Sequence, residues 1–333
     1  TKAGDTPTTG SGTPAEGTES TESNRSAPES QFTYTGASLK VASANDDEET
    51  RNESTTVLKR AAENFKNTAE NVTNYVIRII NKATGNDNTL NVTLDNVNID
   101  VSSSKTNNAA LSVEGAGDTK ITLEGKNTLT SGNQCAGLEH NEESMGTTGK
   151  LTITSGTDDN GSNTGSLTAT GGNGAAGIGS SDGNGAGTIE IIGGDITAIG
   201  GNNAAGIGSG YNSNGTTTIN IEGSTIVKAQ GGSGRGSSGG AGIGGGDIGS
   251  GYTGSSTTNI TISGGTIGTA QGGNATADYK DGGSGIYSKG DLSIEGGTIG
   301  TAQGGSGRSG GYGIGSNGTL TIAGGEIQQT TGG

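Results

Sequence analysis

The chain has one cysteine, three prolines, no tryptophan and only 3% aromatic residues over 333 positions. Each shortage excludes something. A single thiol, Cys135, cannot support an intramolecular disulfide framework. With hydrophobic residues at 26%, the material for a broad globular core is missing. No run of about 18 apolar residues occurs, so no membrane-spanning helix is expected. A basic, hydrophobic segment of the signal-peptide kind is not seen near "TKAGDTPTTG", nor an anchor signal near "QQTTGG". The compartment is therefore argued from composition. Positive charge is scarce too: 18 Lys and Arg stand against 33 Asp and Glu, a formal net charge of −15. That balance excludes the basic footprint nucleic acid requires and disfavours anionic membrane surfaces. Divalent cations stay open, and an exposed protein stays soluble.

Glycine, by contrast, fills 70 positions, with abundant Ser, Thr and Asn around it. Such a composition without a period would mean disorder. Here a period exists. An Ala-Gly-Ile knot stands at Ala176-Gly177-Ile178, Ala205-Gly206-Ile207 and Ala241-Gly242-Ile243. Variants occur at Ser284-Gly285-Ile286, Tyr312-Gly313-Ile314 and Ala136-Gly137-Leu138, and a weaker one at Leu111. Successive aliphatic anchors lie 27, 40, 29, 36, 43 and 28 residues apart, which defines a unit of about 28 residues with loop insertions. After each knot comes an alternating segment ("TIEI", "TINI", "NITI", "DLSI", "TLTI"), then a turn and another ("GGDITAIGG", "GGTIGTAQGG", "GGEIQQTTGG"). Alternation of one aliphatic with one Thr, Asn or Ser is the pattern of strands.

Three short strands per unit, joined by Gly-rich turns, predict an all-β fold: a parallel β-helix over residues 75–333, right-handed by the crossover rule. The expected interior is a set of columns. One holds Ile178, Ile207, Ile243, Ile286 and Ile314. Beside it run Ile189, Ile219, Ile260, Leu292 and Leu320, then Ile191, Ile221, Ile262, Ile294 and Ile322. Ile196, Ile226, Ile267, Ile299 and Ile327 make the third side. About eight coils at a strand spacing of roughly 4.8 Å would give a rod on the order of 40 Å long. A thin rod needs few apolar residues, which reconciles the fold with the composition.

The N-terminal side reads differently. Residues 1–55 hold all three prolines and have linker composition. Within them "QFTYTGASLKVAS" alternates, with Phe32, Tyr34, Leu39 and Val41 as inward candidates. Residues 56–74 switch to helical spacing, with Leu58, Ala62, Phe65, Ala69 and Val72 on one stripe, and predict an amphipathic helix capping the first coil.

The runs "GAAGIGSSDGNGAGTIEIIGGDITAIGG" and "LNVTLDNVNIDVSSS" resemble the carbohydrate-binding-domain-type parallel β-helix surface proteins of Gram-positive bacteria, over about residues 75–333. That resemblance implies an extracellular or cell-surface, non-catalytic role in display, adhesion or binding of acidic or plant-wall polysaccharide, with calcium in some members. It transfers no residue-level site.

Catalysis has little to stand on. Polysaccharide lyases share the architecture, but their chemistry needs clustered carboxylates, or carboxylates holding calcium beside a base. The outward column between the paired aliphatics reads Thr122, Thr152, Glu190, Asn220, Thr261, Ser293 and Thr321, with one carboxylate and no base. His140 is expected in a surface turn, and Cys135 as a small buried residue near a corner. Asp158, Asp159 and Asp87 sit in Asn/Asp/Gly turns that could offer oxygens to calcium, although such turns form without a metal. Two non-catalytic functions lead, in this order, with a polysaccharide lyase as a minor alternative. One is a self-associating rod or filament, in which the N-terminal strands (Phe32, Tyr34, Leu39, Val41) add to the final coil (Leu320, Ile322, Ile327) of a second copy. The other is a glycan platform using Tyr211, Tyr252, Tyr279, Tyr287 and Tyr312. An ice-binding face lacks the regular Thr-x-Thr ladder it would need.

Overall fold

A computed structural model of the chain describes residues 29–34, 38–42, 72, 76–83, 89–103, 107–142, 148–247, 256–277 and 279–333. These residues are all-β, and the same strand of each successive coil pairs in parallel with the next. The architecture is a parallel β-helix. Its first face is a nine-stranded sheet running from Glu29–Tyr34 to Ile314–Ser316. The second and third faces join into one 16-stranded sheet through Thr119–Thr130, a strand of 12 residues that passes from one face to the next with Gly125 at φ 61° between its halves. Its first half pairs with Leu90–Asp95 and Leu151–Ser155, its second with Asn98–Asp100 and Gly165–Thr170.

The aliphatic columns align as the periodicity demands. Ile178, Ile207, Ile243, Ile286 and Ile314 are Cα partners in succession, extended backward by Leu138 and Leu111. The second-face and third-face columns hold the same register, and except in the last coil their members are buried. Each such side chain withdrawn from water contributes about 1.5–3 kcal/mol. The core is thus a thin continuous stack.

The knot itself follows from close approach. Gly206 faces the end of the third-face strand: a Cβ there would lie 2.6 Å from the Gln230 amide nitrogen and 2.6 Å from the Gly242 carbonyl oxygen. Gly208, at φ 133°, takes a backbone conformation that L side chains rarely adopt. At the next corner, a Cβ on Gly201 would strike the carbonyl of Gly172, and one on Gly232 the carbonyl of Gly201. Glycine is what lets consecutive coils touch through their backbones.

Three expectations need correction, and one feature was not anticipated. First, the solenoid does not begin at residue 75. Glu29–Tyr34 pairs with Val76–Asn81, and Ser38–Ala42 with Leu90–Asp95, so the "linker" contributes a coil and the described residues make nine coils. Phe32, Tyr34, Leu39 and Val41 lie on strands that pair within their own chain. Second, the outward column is misread at one end. Lys120, not Thr122, stands opposite Thr152, because Thr119 occupies the aliphatic register beside Leu90 and Leu151. The column therefore contains a base, and Lys150 pairs with its Glu190 at 2.9 Å. Third, His140 is no surface residue: it ends the strand Leu138–His140, is 1% exposed, and has Nδ1 2.7 Å from the Ala186 carbonyl oxygen. In addition, a polar residue enters the third-face column. Asn127 stands opposite Leu167 and is fully buried, its amide donating to the carbonyls of Leu94, Glu124 and Ser166 while its oxygen accepts from Val97 N–H. The helix expected over residues 56–74 lies outside the described residues, except for Val72.

Candidate functional site

Loop insertions gather at the corners around the knots, and between coils seven and nine they enclose a groove of about 520 Å³. That volume is within the ordinary range for a small-ligand site. Glycines 245–246, 282–283 and 310–311 line much of it, leaving the groove largely bare of long side chains. The side chains that do enter carry the chemistry: Tyr287, Tyr312, Lys289, Asp247 and Asp281.

The two tyrosines come from successive coils. Their rings are stacked, with centroids 6.2 Å apart and planes 10° from parallel. Gly315 makes this possible, since even a Cβ there would stand 3.2 Å from the Tyr312 ring and 3.3 Å from that of Tyr287. Tyr287 is pinned, its hydroxyl donating to Asn317 Oδ1 at 2.5 Å, and burial raises its pKa, aided by the charge of Tyr312. Tyr312 is 64% exposed and turns an open ring toward solvent.

Lys289 reaches into the space that Gly245 leaves: a Cβ on Gly245 would be 3.3 Å from Lys289 Cε. Its Nζ donates to Ser256 Oγ at 2.9 Å and, more distantly, to the Gly246 carbonyl at 3.4 Å. Burial pushes its pKa down to about 8, against the opposing pull of the Asp247 charge. Asp247 accepts from Ser238 N–H at 3.1 Å. Asp281 accepts from Ser309 N–H at 3.2 Å and faces Arg308 Nη2 at 3.3 Å.

Tyr287 and Tyr312 are therefore brought together, and of the other described candidates Tyr211 and Tyr279 do not join them. Tyr279 is 64% exposed outside the groove lining, with Lys280 Nζ 5.6 Å from its ring centroid. Tyr211 is half-buried, and Tyr252 lies outside the described residues. Of the calcium candidates, Asp87 is also outside them. Asp158 closes its own loop, its Oδ1 accepting from Asn160 and Ser162 N–H at 2.9 and 2.8 Å, and Asp159 is exposed. Among the described residues no group of three or more His, Cys, Asp or Glu is placed to hold a metal.

A second, smaller cavity of about 130 Å³ opens on the first face nearer the N-terminal end. Arg78 forms a two-pronged pair with Glu114 at 2.8 and 2.7 Å beside it. Glu139 accepts from Ala136 N–H at 3.0 Å and from Asn141 Nδ2 at 3.1 Å, and burial raises its pKa to about 7. The buried Cys135 thiol is pushed up to about 12 by burial and by the neighbouring Glu139.

Sequence reasoning missed Lys289 and Glu139. The signal was departure from the repeat. Gly179, Gly208, Gly244 and Gly315 share one register position; Tyr287 interrupts that run of glycines, and Glu139, after Arg78 and Ser112 in the same column, stands just before it.

Fold and groove define a parallel β-helix that carries an aromatic, mixed-charge cleft on its corner loops. No known protein family, curated protein or solved structure matches this chain.

Proposed function

We propose that this chain is a non-catalytic extracellular binding module, a surface β-solenoid that holds polysaccharide at the groove between coils seven and nine. The observation that carries the reading is the parallel pair Tyr287 and Tyr312 above a glycine-lined cleft. Aromatic faces over a shallow groove suit the apolar faces of sugar rings, and nearby carboxylates and amines suit hydroxyls. The groove carboxylates already accept hydrogen bonds from backbone N–H groups, which supports binding over acid–base work. The test is retention on pectin, polygalacturonate and cellulose, comparing the wild type with Tyr312→Ala. Wild type is expected to be retained on at least one of them, and the variant at least ten-fold less, with unchanged melting. No retention on any polymer overturns the reading. Release of unsaturated or reducing ends overturns its non-catalytic part.

Self-association of rods is a second reading, supported by Leu320 and Ile322, which are 45% and 56% exposed. A strand added to their coil by a second copy would cover them. Because Glu29–Tyr34 and Ser38–Ala42 already pair within the chain, such a copy would dock as a whole coil and not by donating these strands.

A further inference from the structure

We infer that the groove selects saccharides bearing a carboxylate, with Lys289 Nζ as the group that recognises it and Tyr312 as the face on which the sugar ring lies. The inference rests on the polysaccharide reading above. It starts from an incompletely matched cation. An ammonium group has three donors. Among the described residues, Lys289 has one good acceptor, the Ser256 hydroxyl, and one distant one, the Gly246 carbonyl. Asp247 acts on Lys289 through its charge. A largely buried ammonium with a spare donor, at the wall of an open cleft, is matched best by an anionic oxygen.

Geometry sets the class of anion. Lys289 and Tyr312 line one cleft of about 520 Å³, so the ligand must present a charge and a flat apolar ring together. Asp247 and Asp281 line the same cleft, and they oppose a densely charged ligand. One carboxylate per ring fits these constraints, as in a uronic acid; a polyphosphate or sulfated chain does not. The chain's net charge of −15 repels any anion at long range. At about 0.15 M salt that repulsion is screened beyond roughly 8 Å, so the local contact decides.

Proton linkage gives the inference a readout separate from affinity. The other titratable groups facing Lys289 across the groove are Asp247, Asp281 with its partner Arg308, and the two tyrosines. Lys289, with its pKa near 8, changes charge between pH 6.5 and 9. Affinity for a carboxylate ligand should therefore fall as pH rises through about 8.

The experiment is calorimetric titration with oligogalacturonate and with a neutral galacto-oligosaccharide of equal length, at pH 6.5 and 9, in about 0.15 M salt. Lys289→Met is the variant. It removes a desolvated charge while keeping a chain of similar length, and its melting is recorded alongside. The expected result is at least ten-fold preference for the uronate at pH 6.5, lost in Lys289→Met and sharply reduced at pH 9. Equal binding of both oligosaccharides, or a preference that survives in Lys289→Met, overturns the role of Lys289 and leaves the polysaccharide reading standing. Binding of neither overturns both.

Discussion

Glu139 and Tyr287 show what a single substitution in a repeat can do. Both stand where Gly179, Gly208, Gly244 and Gly315 follow the knot's aliphatic residue, and each puts a functional group where those four coils have none. At Glu139 the result is a carboxyl group held in a place that favours its neutral form. Its folded pKa, about 7, lies above its ordinary value of 4.5, with burial as the largest cause. A raised carboxyl pKa contributes stability that is fully present below about pH 4.5 and lost as pH rises through about 7. Glu139→Gln lacks this titration. Relative to wild type the variant should gain on the order of 3 kcal/mol between pH 4.5 and 8. Denaturant melts of both proteins across that range decide it, and parallel stability curves would remove Glu139 from the pH response.

At the level of elements, corner glycines do as much as the strands. Gly201 has an ordinary φ, so its identity is fixed by space alone: a Cβ would strike the Gly172 carbonyl of the preceding coil. Gly201→Ala must push two coils apart at that corner and is expected to destabilise by about 1–3 kcal/mol. Gly332→Ala is the matched control, because its Cβ would meet nothing closer than Gly311 O at 3.5 Å. Equal melting of the two variants would show that the corners yield freely. Most strands were legible because an inward aliphatic every second residue has no other stable use in so apolar-poor a chain. Legibility failed where a polar residue took an inward place. Thr119 stands in an aliphatic column with its hydroxyl buried and unpartnered, and this shifted the apparent register of Ile121-Thr122-Leu123 by two residues. Asn127 hid in the same way, because its buried amide is satisfied by carbonyls of three different strand segments that no local pattern shows. Tyr287 and Tyr312 could be named singly from sequence. Their meeting could not, since they lie 25 residues apart where the knots lie 28 apart, and only the stacking of coils makes them neighbours.

Over the whole molecule, the long thin core implies a gradient of stability along the axis. Each coil contacts only its neighbours, so a central coil is supported on two sides and an outer one on one side. The columns show the consequence directly: Ile207, Ile219 and Ile226 are fully buried, while Leu320 and Ile322 of the last coil are 45% and 56% exposed. Local opening should therefore begin in the coil of Ile314–Ser316, Leu320–Ile322 and Glu326–Thr331. Amide hydrogen exchange read by mass spectrometry measures this. In dilute protein, peptides from that coil should exchange at least ten-fold faster than peptides covering Ile178–Gly179 through Ser256–Ile262. Protection in that coil equal to the centre, at every protein concentration, would contradict nearest-neighbour support. Repeating the measurement at higher concentration separates the two proposed uses of the rod. If second copies cover Leu320 and Ile322, exchange in the last coil slows as concentration rises while the centre stays constant. If exchange there is independent of concentration, the rods act singly, and the groove is left as the surface through which the protein works.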